Sequence, residues 1–135
     1  MTCIFCRIIA GDAPAEIVLE TDDVVGFLDT RPVFKGHVLV LPRDHVATLT
    51  ELPDELVTPL FTGARSVAVA VREGLGAQGS FVAMNNVVSQ SVPHLHVYVV
   101  PRTRGDGLRG FFWPRVKYAV GEPEEYAARL RAALG

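Results

Sequence analysis

Residues 90–102 read Gln-Ser-Val-Pro-His-Leu-His-Val-Tyr-Val-Val-Pro-Arg, and the interpretation of the fold starts from this stretch. Side chains alternate between the two faces of an extended strand, so the stretch has two faces of different character. One face is apolar, as a core face should be, and consists of Leu95, Val97 and Val99. The other face consists of His94, His96, Tyr98 and Val100. Two ionisable rings on one side of a short strand indicate a chemical site.

The composition is that of a folded globular chain. Its 135 residues predict one domain, 1–135, and 49% hydrophobic with 21% charged residues exclude a disordered chain. The formal net charge of -2 predicts no general attraction to nucleic acid or to an anionic membrane. Apolar runs such as Val67–Val71 are far too short to span a bilayer. Because no signal pattern follows Met1, we expect a cytoplasmic protein.

Hydrophobic periodicity predicts an α+β fold. The predicted strands are Ile17–Glu20, Val24–Asp29, His37–Leu41, Ser80–Asn85 and Leu95–Val100. The predicted helices are a short one from Cys3 to Ala10, a long one from Asp54 to Leu75 and a C-terminal one from Glu122 to Leu134. Pro59 is expected to kink or restart the long helix. Strands grouped around one long helix favour an antiparallel sheet of about five strands over a doubly wound fold.

Both cysteines of the chain lie in the motif Cys3-Ile4-Phe5-Cys6. Cys-x-x-Cys is the spacing of half a tetrahedral zinc site, which needs two further ligands from elsewhere. A redox pair of the thioredoxin kind has the same spacing, but no strand precedes the motif here. Two buried thiols without a metal are the third interpretation.

Several motifs in the same order resemble the histidine triad family of nucleotide hydrolases and transferases, whose pattern is Gln-Ser-Val-x-His-x-His-x-His. Beyond residues 90–102, the likeness rests on Cys3–Cys6, Ile8–Gly11, Phe27–Asp29, Gly36–Val40, Pro42–His45 and Asn85–Asn86. The resemblance implies the fold of that family and a homodimer formed by joining the sheets of two copies.

The resemblance also implies three catalytic roles. His96 matches the family's nucleophile, whose neutral imidazole attacks the α-phosphorus of a nucleotide. His37 matches a histidine of the phosphate pocket, and Ser91 matches a serine beside the leaving group. Each has a purely structural alternative. Taken alone, His96 could be a partly buried structural histidine, and His37 could cap an apolar strand. Ser91 could form a local hydrogen bond to the backbone.

The nucleotide-binding residues implied by the family follow the same logic. Asp29 matches the acid that binds the ribose hydroxyls, although ordinary turn chemistry is the competing interpretation. Ile8, Phe27 and Leu28 match the residues that form apolar walls around the base in the family. The same three residues are equally typical of a protein core. Asn85 matches a polar contact to the nucleotide. The loop between Asn86 and Gln90 is two residues shorter than in many relatives, so its conformation is expected to differ from theirs.

At four further positions this chain resembles the zinc-bearing branch of the family. These positions are the metal ligands of that branch, and here they are Cys3, Cys6, His45 and His94. A closed Cys2His2 set implies a structural zinc ion that ties the N-terminus to the strand next to the nucleophile.

The chain departs from the pattern at Tyr98, where relatives have the third histidine. A phenol donates one hydrogen bond but carries no positive charge near neutral pH. We therefore weigh two functions: an enzyme acting on nucleoside phosphoramidates, dinucleoside polyphosphates or similar mixed anhydrides, and a nucleotide-binding module with weak or lost catalysis. A purely structural zinc protein would leave Ser91, His37 and Asp29 unexplained.

Aromatic residues and arginines alternate in the segment from Gly105 to Arg115. Such a segment can close over a base or a second phosphate group. Packing at a subunit boundary is the interpretation we favour, because interfaces are also enriched in aromatic residues and arginine.

Overall fold

The structure is a computed structural model that describes residues 3–108 and 115–135. Its helices are α1 (Ile4–Ile9), α2 (Asp54–Leu75) and α3 (Glu122–Leu134), with a short 3-10 turn at Leu49–Glu51. Its strands are β1 (Ile17–Glu20), β2 (Val24–Leu28), β3 (Val38–Pro42), β4 (Gly79–Ala83) and β5 (Val97–Arg102). The predicted α+β class is confirmed.

The strands form a five-stranded sheet in the order β1-β2-β3-β5-β4, and every neighbouring pair is antiparallel. The β1–β2 hairpin closes through Thr21, whose backbone N–H and side-chain oxygen both contact Val24. Strand β5 lies between β3 and β4, and Tyr98 pairs with Leu39 on one side and Ala83 on the other. The histidine-rich stretch therefore enters the sheet at an interior strand.

The two faces of the sheet pack against different helices. One face is covered by α2 in a large core that includes Val38, Val40 and Leu60. The other face is covered by α1, whose Phe5 packs among Phe27 and other apolar residues of β2 and β3. Alternation along the strands sends successive residues to opposite cores, as expected for a sheet buried on both faces. A small helix thus lies over the face where chemistry is expected.

Helix α2 has the predicted bounds. It is capped by Gly76, which has φ +72° in the left-handed region that favours glycine. The N–H of Gly76 donates to the carbonyl of Arg72, and the N–H of Ala77 donates to the carbonyl of Val71. Gly63 lets the helix approach the sheet, because a Cβ there would lie 3.1 Å from Cγ1 of Val24. The helix runs on through Pro59 without interruption, so the expected restart at that residue is wrong.

Several predicted strand ends are shifted, most clearly in β5. The strand begins at Val97 rather than Leu95, because the Leu95 N–H donates to the carbonyl of Val46 instead of to a neighbouring strand. The predicted faces are confirmed: Leu95, Val97 and Val99 belong to the core under α2, and Tyr98 packs against the core under α1. Pro42 closes β3 as its last residue.

Helix α3 has the predicted bounds, Glu122–Leu134, and none of its residues is buried. The aromatic and arginine-rich segment singled out in the sequence falls largely on residues 109–114, which lie outside the described residues. No helix within the described ranges is both long enough and apolar enough to cross a membrane.

Candidate active site and metal centre

A cleft of about 500 Å³ opens where α1 meets the sheet. Seven of the predicted site residues line it: Ile8, Phe27, Leu28, Asp29, Ser91, His96 and Tyr98. Its walls are mainly apolar at the α1 end and polar near His96, as is usual for small-molecule sites. Residues distant in sequence therefore meet in one cavity.

His96 is 3% exposed, and its Nδ1–H donates to the carbonyl oxygen of His94 at 2.7 Å. Because a neutral imidazole carries one proton, this hydrogen bond leaves the lone pair on Nε2. Burial lowers the pKa of His96, opposed by the same hydrogen bond and by Asp29. The ring is thus held neutral, with its unprotonated nitrogen available to react.

Two aromatic side chains contact the His96 ring from the sides. Phe5 packs edge-to-face on His96 with centroids 5.0 Å apart, and the Tyr98 ring lies 5.2 Å from His96. Tyr98 in turn packs edge-to-face against His37 at 5.4 Å. These contacts restrict rotation of the imidazole, which an oriented nucleophile requires.

His37 is 4% exposed, is not among the residues that line the cleft, and packs against the ring of Tyr98. Its Nδ1 accepts the backbone N–H of Val33 at 3.2 Å, so the neutral ring carries its proton on Nε2. That Nε2 has no hydrogen-bond partner among the described residues. Burial lowers the pKa of His37, while the carboxylate of Asp29, 3.8 Å from Nδ1, opposes the shift. A buried donor without a partner is costly unless a ligand or water completes it.

Asp29 follows directly on β2 and lines the cleft. Its backbone N–H donates to the carbonyl of His37 at 2.9 Å, which ties the ends of two neighbouring strands together. Its Oδ1 accepts the N–H of Arg31 at 2.9 Å, so the turn chemistry anticipated from sequence is present. The carboxylate, one quarter exposed, keeps free acceptor capacity for hydroxyl groups.

Asn85 is not among the residues that line the cleft, and its side chain donates to the carbonyl of Ser89 at 3.3 Å. Conversely, sequence reasoning missed further residues that line the cleft, among them Phe5, Arg31 and Val92. Arg31 carried an available signal, since it lies two residues after Asp29. Phe5 and Val92 carried none beyond their proximity to the motifs, because tertiary packing decides which apolar residue faces a cavity.

The four predicted metal ligands come together: Cys3, Cys6, His45 and His94. Their ligand atoms all lie within 4.8 Å of one another. The Sγ of Cys6 is 3.3 Å from Nδ1 of His45 and 3.5 Å from Nδ1 of His94. The Sγ of Cys3 is 3.6 Å from Nδ1 of His94. Zinc bonds of about 2.3 Å to sulfur and about 2.0–2.1 Å to nitrogen give a tetrahedral edge of about 3.6 Å. The donor set therefore fits a tetrahedral metal ion.

The orientation of His94 supports the same conclusion. Its Nε2–H donates to the carbonyl of Pro42 at 2.8 Å, which leaves the lone pair on Nδ1 facing the cysteines. Such a bond from the distal nitrogen is typical of metal-binding histidines. Burial and the neighbouring Cys3 raise the pKa of the Cys6 thiol, so deprotonation is costly there. A bound cation would offset the cost of deprotonation by pairing with both thiolates.

Comparison with known proteins identifies the family. The model of the HIT domain matches residues 10–105, more than half of the chain. The chain therefore belongs to the histidine triad (HIT) family, and the resemblance predicted from its motifs is confirmed. The solved structure of a HIT family member from Bacillus subtilis has a TM-score of 0.90 and 35% identity, covering 100% of this chain and 99% of that one.

Two further relatives bear on chemistry and metal. A Schizosaccharomyces pombe protein named adenosine 5'-monophosphoramidase is 35% identical over 95% of this chain and 92% of its own length. A Zn-bound histidine triad protein from Mycobacterium smegmatis has a TM-score of 0.77 and 41% identity, covering 99% of this chain and 94% of that one. The prediction of an enzyme of the histidine triad type is thus confirmed at the level of the family.

Proposed function

We propose that the protein cleaves nucleoside 5'-phosphoryl compounds, namely nucleoside phosphoramidates, dinucleoside polyphosphates or related mixed anhydrides, through a nucleotidyl-histidine intermediate. The observation that carries the proposal is the hydrogen bond from Nδ1 of His96 to His94, which leaves Nε2 unprotonated in a cleft shared with Ser91 and Asp29. A neutral, oriented and partly desolvated imidazole is the form in which histidine acts as a nucleophile.

The proposed reaction has two steps. The lone pair on Nε2 of His96 attacks the α-phosphorus, a P–N bond forms, and the bond from phosphorus to the leaving group breaks. The hydroxyl of Ser91 donates its proton to the departing amine or oxygen. Water then attacks the phosphorus and returns one proton to the oxygen of Ser91, the bond from phosphorus to Nε2 of His96 breaks, and a nucleoside 5'-monophosphate leaves. Another acceptor in place of water would give transfer instead of hydrolysis.

The remaining cleft residues bind and orient the nucleotide in this proposal. The base packs against Ile8, Phe27 and Leu28, and Asp29 accepts hydrogen bonds from the ribose hydroxyls. His37 does not line the cleft itself, but its ring contacts Tyr98, which does, and its Nε2–H has no partner among the described residues; both observations support a role as a hydrogen-bond donor near the phosphate. Asn85 lies outside the cleft lining, so we assign it no direct contact in this state.

Tyr98 motivates the alternative function, a nucleotide-binding module with weak or lost catalysis. Its ring contacts both His96 and His37, so it occupies the place where a third histidine would donate to the phosphate. A neutral phenol supplies less stabilisation of developing negative charge than an imidazolium does. We favour the enzyme, because Tyr98 leaves the orientation of His96 by the His94 carbonyl intact.

We propose that the metal of the Cys2His2 cluster is zinc, held by Cys3, Cys6, His45 and His94. Two thiolates and two imidazoles in tetrahedral spacing suit zinc, and four protein ligands leave no open position for substrate. Bound there, zinc supplies structural cross-linking and no catalytic step. The chain's own contribution is to tie α1, which forms one wall of the cleft, to His94 beside the nucleophile.

We further propose that the protein is a single-domain cytoplasmic homodimer whose partner is its nucleotide substrate, without affinity for nucleic acid or membranes. The net charge of -2 and the family resemblance support this assignment. Light scattering at several protein concentrations is expected to give twice the chain mass, and a monomer at all concentrations would contradict it.

The test of the function compares the wild-type protein with His96→Ala on adenosine 5'-phosphoramidate and on a dinucleoside polyphosphate. We expect release of adenosine monophosphate from at least one substrate by the wild type and none by the variant. Nucleotide binding by the wild type without turnover above the variant would establish the binding module instead.

A further inference from the structure

The loop that precedes Ser91 is fastened to the rest of the protein by the side chain of Gln90. Its Nε2 donates to the carbonyl of Ala47 at 2.7 Å, and its Oε1 accepts the N–H of Val87 at 2.9 Å. A second amide acts nearby, since Oδ1 of Asn86 accepts the N–H of Leu49 at 2.7 Å. The side chain of Gln90 thus bridges its own loop and the segment that follows His45, with both of its polar ends used.

The same loop has an unfavourable backbone. Val87 has φ +66° and Ser89 has φ +62°, and both lie in the left-handed region that favours glycine. Val87 is β-branched, which makes this conformation costly, and its side chain is 76% exposed, so burial does not compensate. The connection between Asn86 and Gln90 therefore keeps its shape against the backbone preference of Val87, and hydrogen bonds must hold it.

We propose that Gln90 is a positioning residue for Ser91: its bridge between Val87 and Ala47 holds the strained loop in the shape that directs the Ser91 hydroxyl into the cleft. This inference rests on the proposed function, in which Ser91 donates a proton to the leaving group. Gln90 itself does not line the cleft. Its effect on the reaction is exerted through the residue that follows it.

A specific kinetic signature follows from this assignment. Proton donation matters for a poor leaving group, such as an amine, and little for a leaving group that departs as a stable anion, such as p-nitrophenolate. Loss of the Gln90 bridge should therefore slow the first kind of substrate selectively. A general loss of folded protein would slow both kinds equally.

The experiment measures kcat/KM for adenosine 5'-phosphoramidate and for the p-nitrophenyl ester of adenosine monophosphate. For Gln90→Leu we expect a loss of about 30-fold or more on the phosphoramidate and of less than about threefold on the ester, the pattern also expected for Ser91→Ala. The double variant should be no slower than Ser91→Ala alone, because both changes remove the same function. Gln78→Leu is the matched control, since that glutamine accepts the N–H of Arg104 away from the cleft.

Two more variants address folding. Gln90→Asn keeps the amide but shortens its reach, so it should show the same selective loss if Gln90→Leu does not fold. Adding Val87→Gly should restore part of the phosphoramidate activity, because glycine adopts the turn without the bridge.

Equal losses on both substrates, or losses by Gln90 and Ser91 variants that multiply, would overturn the inference. If either of these results is found while His96→Ala is inactive, the inference about Gln90 fails but the proposed function is retained. Full activity of His96→Ala on both substrates would instead contradict the function itself.

Discussion

The carbonyl oxygen of His94 accepts the Nδ1–H of His96 at 2.7 Å, while the ring of His94 belongs to the Cys2His2 cluster. One residue therefore orients the proposed nucleophile with its backbone and offers a metal ligand with its side chain. The distal nitrogen of the same ring is anchored to Pro42. His94 thus connects the candidate metal cluster to the candidate active site, and disturbance of one is expected to reach the other.

Removal of one ligand tests the assignment of the metal site. Cys6→Ser is expected to lose the metal and about 3–5 kcal/mol of folding free energy, since a ligand at about 1,000 times its Kd stabilises by about 4 kcal/mol. For a domain of this size, the melting temperature should fall by about 10 °C or more. Calorimetry and elemental analysis measure both effects. Asp44→Asn, an exposed neighbour of His45, is the matched control, and an unchanged metal content in Cys6→Ser would refute the assignment.

Replacing Tyr98, at the third triad position, with histidine is expected to raise kcat. Tyr98→His places an imidazole beside His37 and the phosphate, and restoring such a donor should raise kcat by about 10-fold or more, given that losing one costs about 100-fold or more. Tyr98→Phe is the control that removes only the hydroxyl, and it should lower kcat. Steady-state kinetics on adenosine 5'-phosphoramidate measures both. A histidine variant no faster than wild type would show that this position does not limit the rate.

Recognition of the ribose can be isolated at Asp29. Asp29→Asn keeps the acceptor for the Arg31 N–H but removes the charge that strengthens hydrogen bonds to the ribose hydroxyls. A hydrogen bond to a charged group is worth about 1.5–3 kcal/mol, so KM should rise by about 10-fold or more. A 2',3'-dideoxy substrate should bind wild type and variant equally. If the variant raises KM for both substrates alike, Asp29 acts elsewhere.

His37 is one of the buried histidines that make stability depend on pH. Burial lowers its folded pKa below the usual value of about 6.5, against the opposing charge of Asp29, with His96 adding to the lowering. Between the folded pKa and about 6.5, the unfolded chain binds more protons, so stability falls as the pH decreases through this window. His37→Asn, which keeps an acceptor for the Val33 N–H, should reduce that slope by up to about 1.4 kcal/mol per pH unit. Urea unfolding at pH 7.5, 6.5 and 5.5 measures it, and parallel profiles would exclude a neutral buried His37.

Much of the fold follows from local patterns. The bounds of α2 follow from apolar spacing and from Gly76, whose left-handed conformation ends the helix. The start of β5 was misplaced because Leu95 bonds to Val46, a contact between segments that no local pattern encodes. Pro59 did not restart α2, because the packing of the helix outweighs one missing N–H.

The cleft was predicted less completely than the metal cluster. Motif spacing identified residues such as Ser91 and His96 that line the cavity. It gave no indication that Phe5 would pack on the nucleophile, since that contact depends on how α1 docks on the sheet. Asn85 was predicted to contact the nucleotide, but its side chain donates to the carbonyl of Ser89 and does not line the cleft. Residue type predicts chemistry, whereas tertiary packing decides access.

The most direct test of the account is the covalent intermediate on His96. Protein mixed with adenosine 5'-phosphoramidate and quenched rapidly in base, where phosphohistidine-type bonds survive, is digested and analysed by mass spectrometry. We predict one adenylyl group on the peptide containing His96, transient in the wild type and absent from His96→Ala. Turnover by the wild type with no adduct, or with the adenylyl group on another residue, would contradict the account.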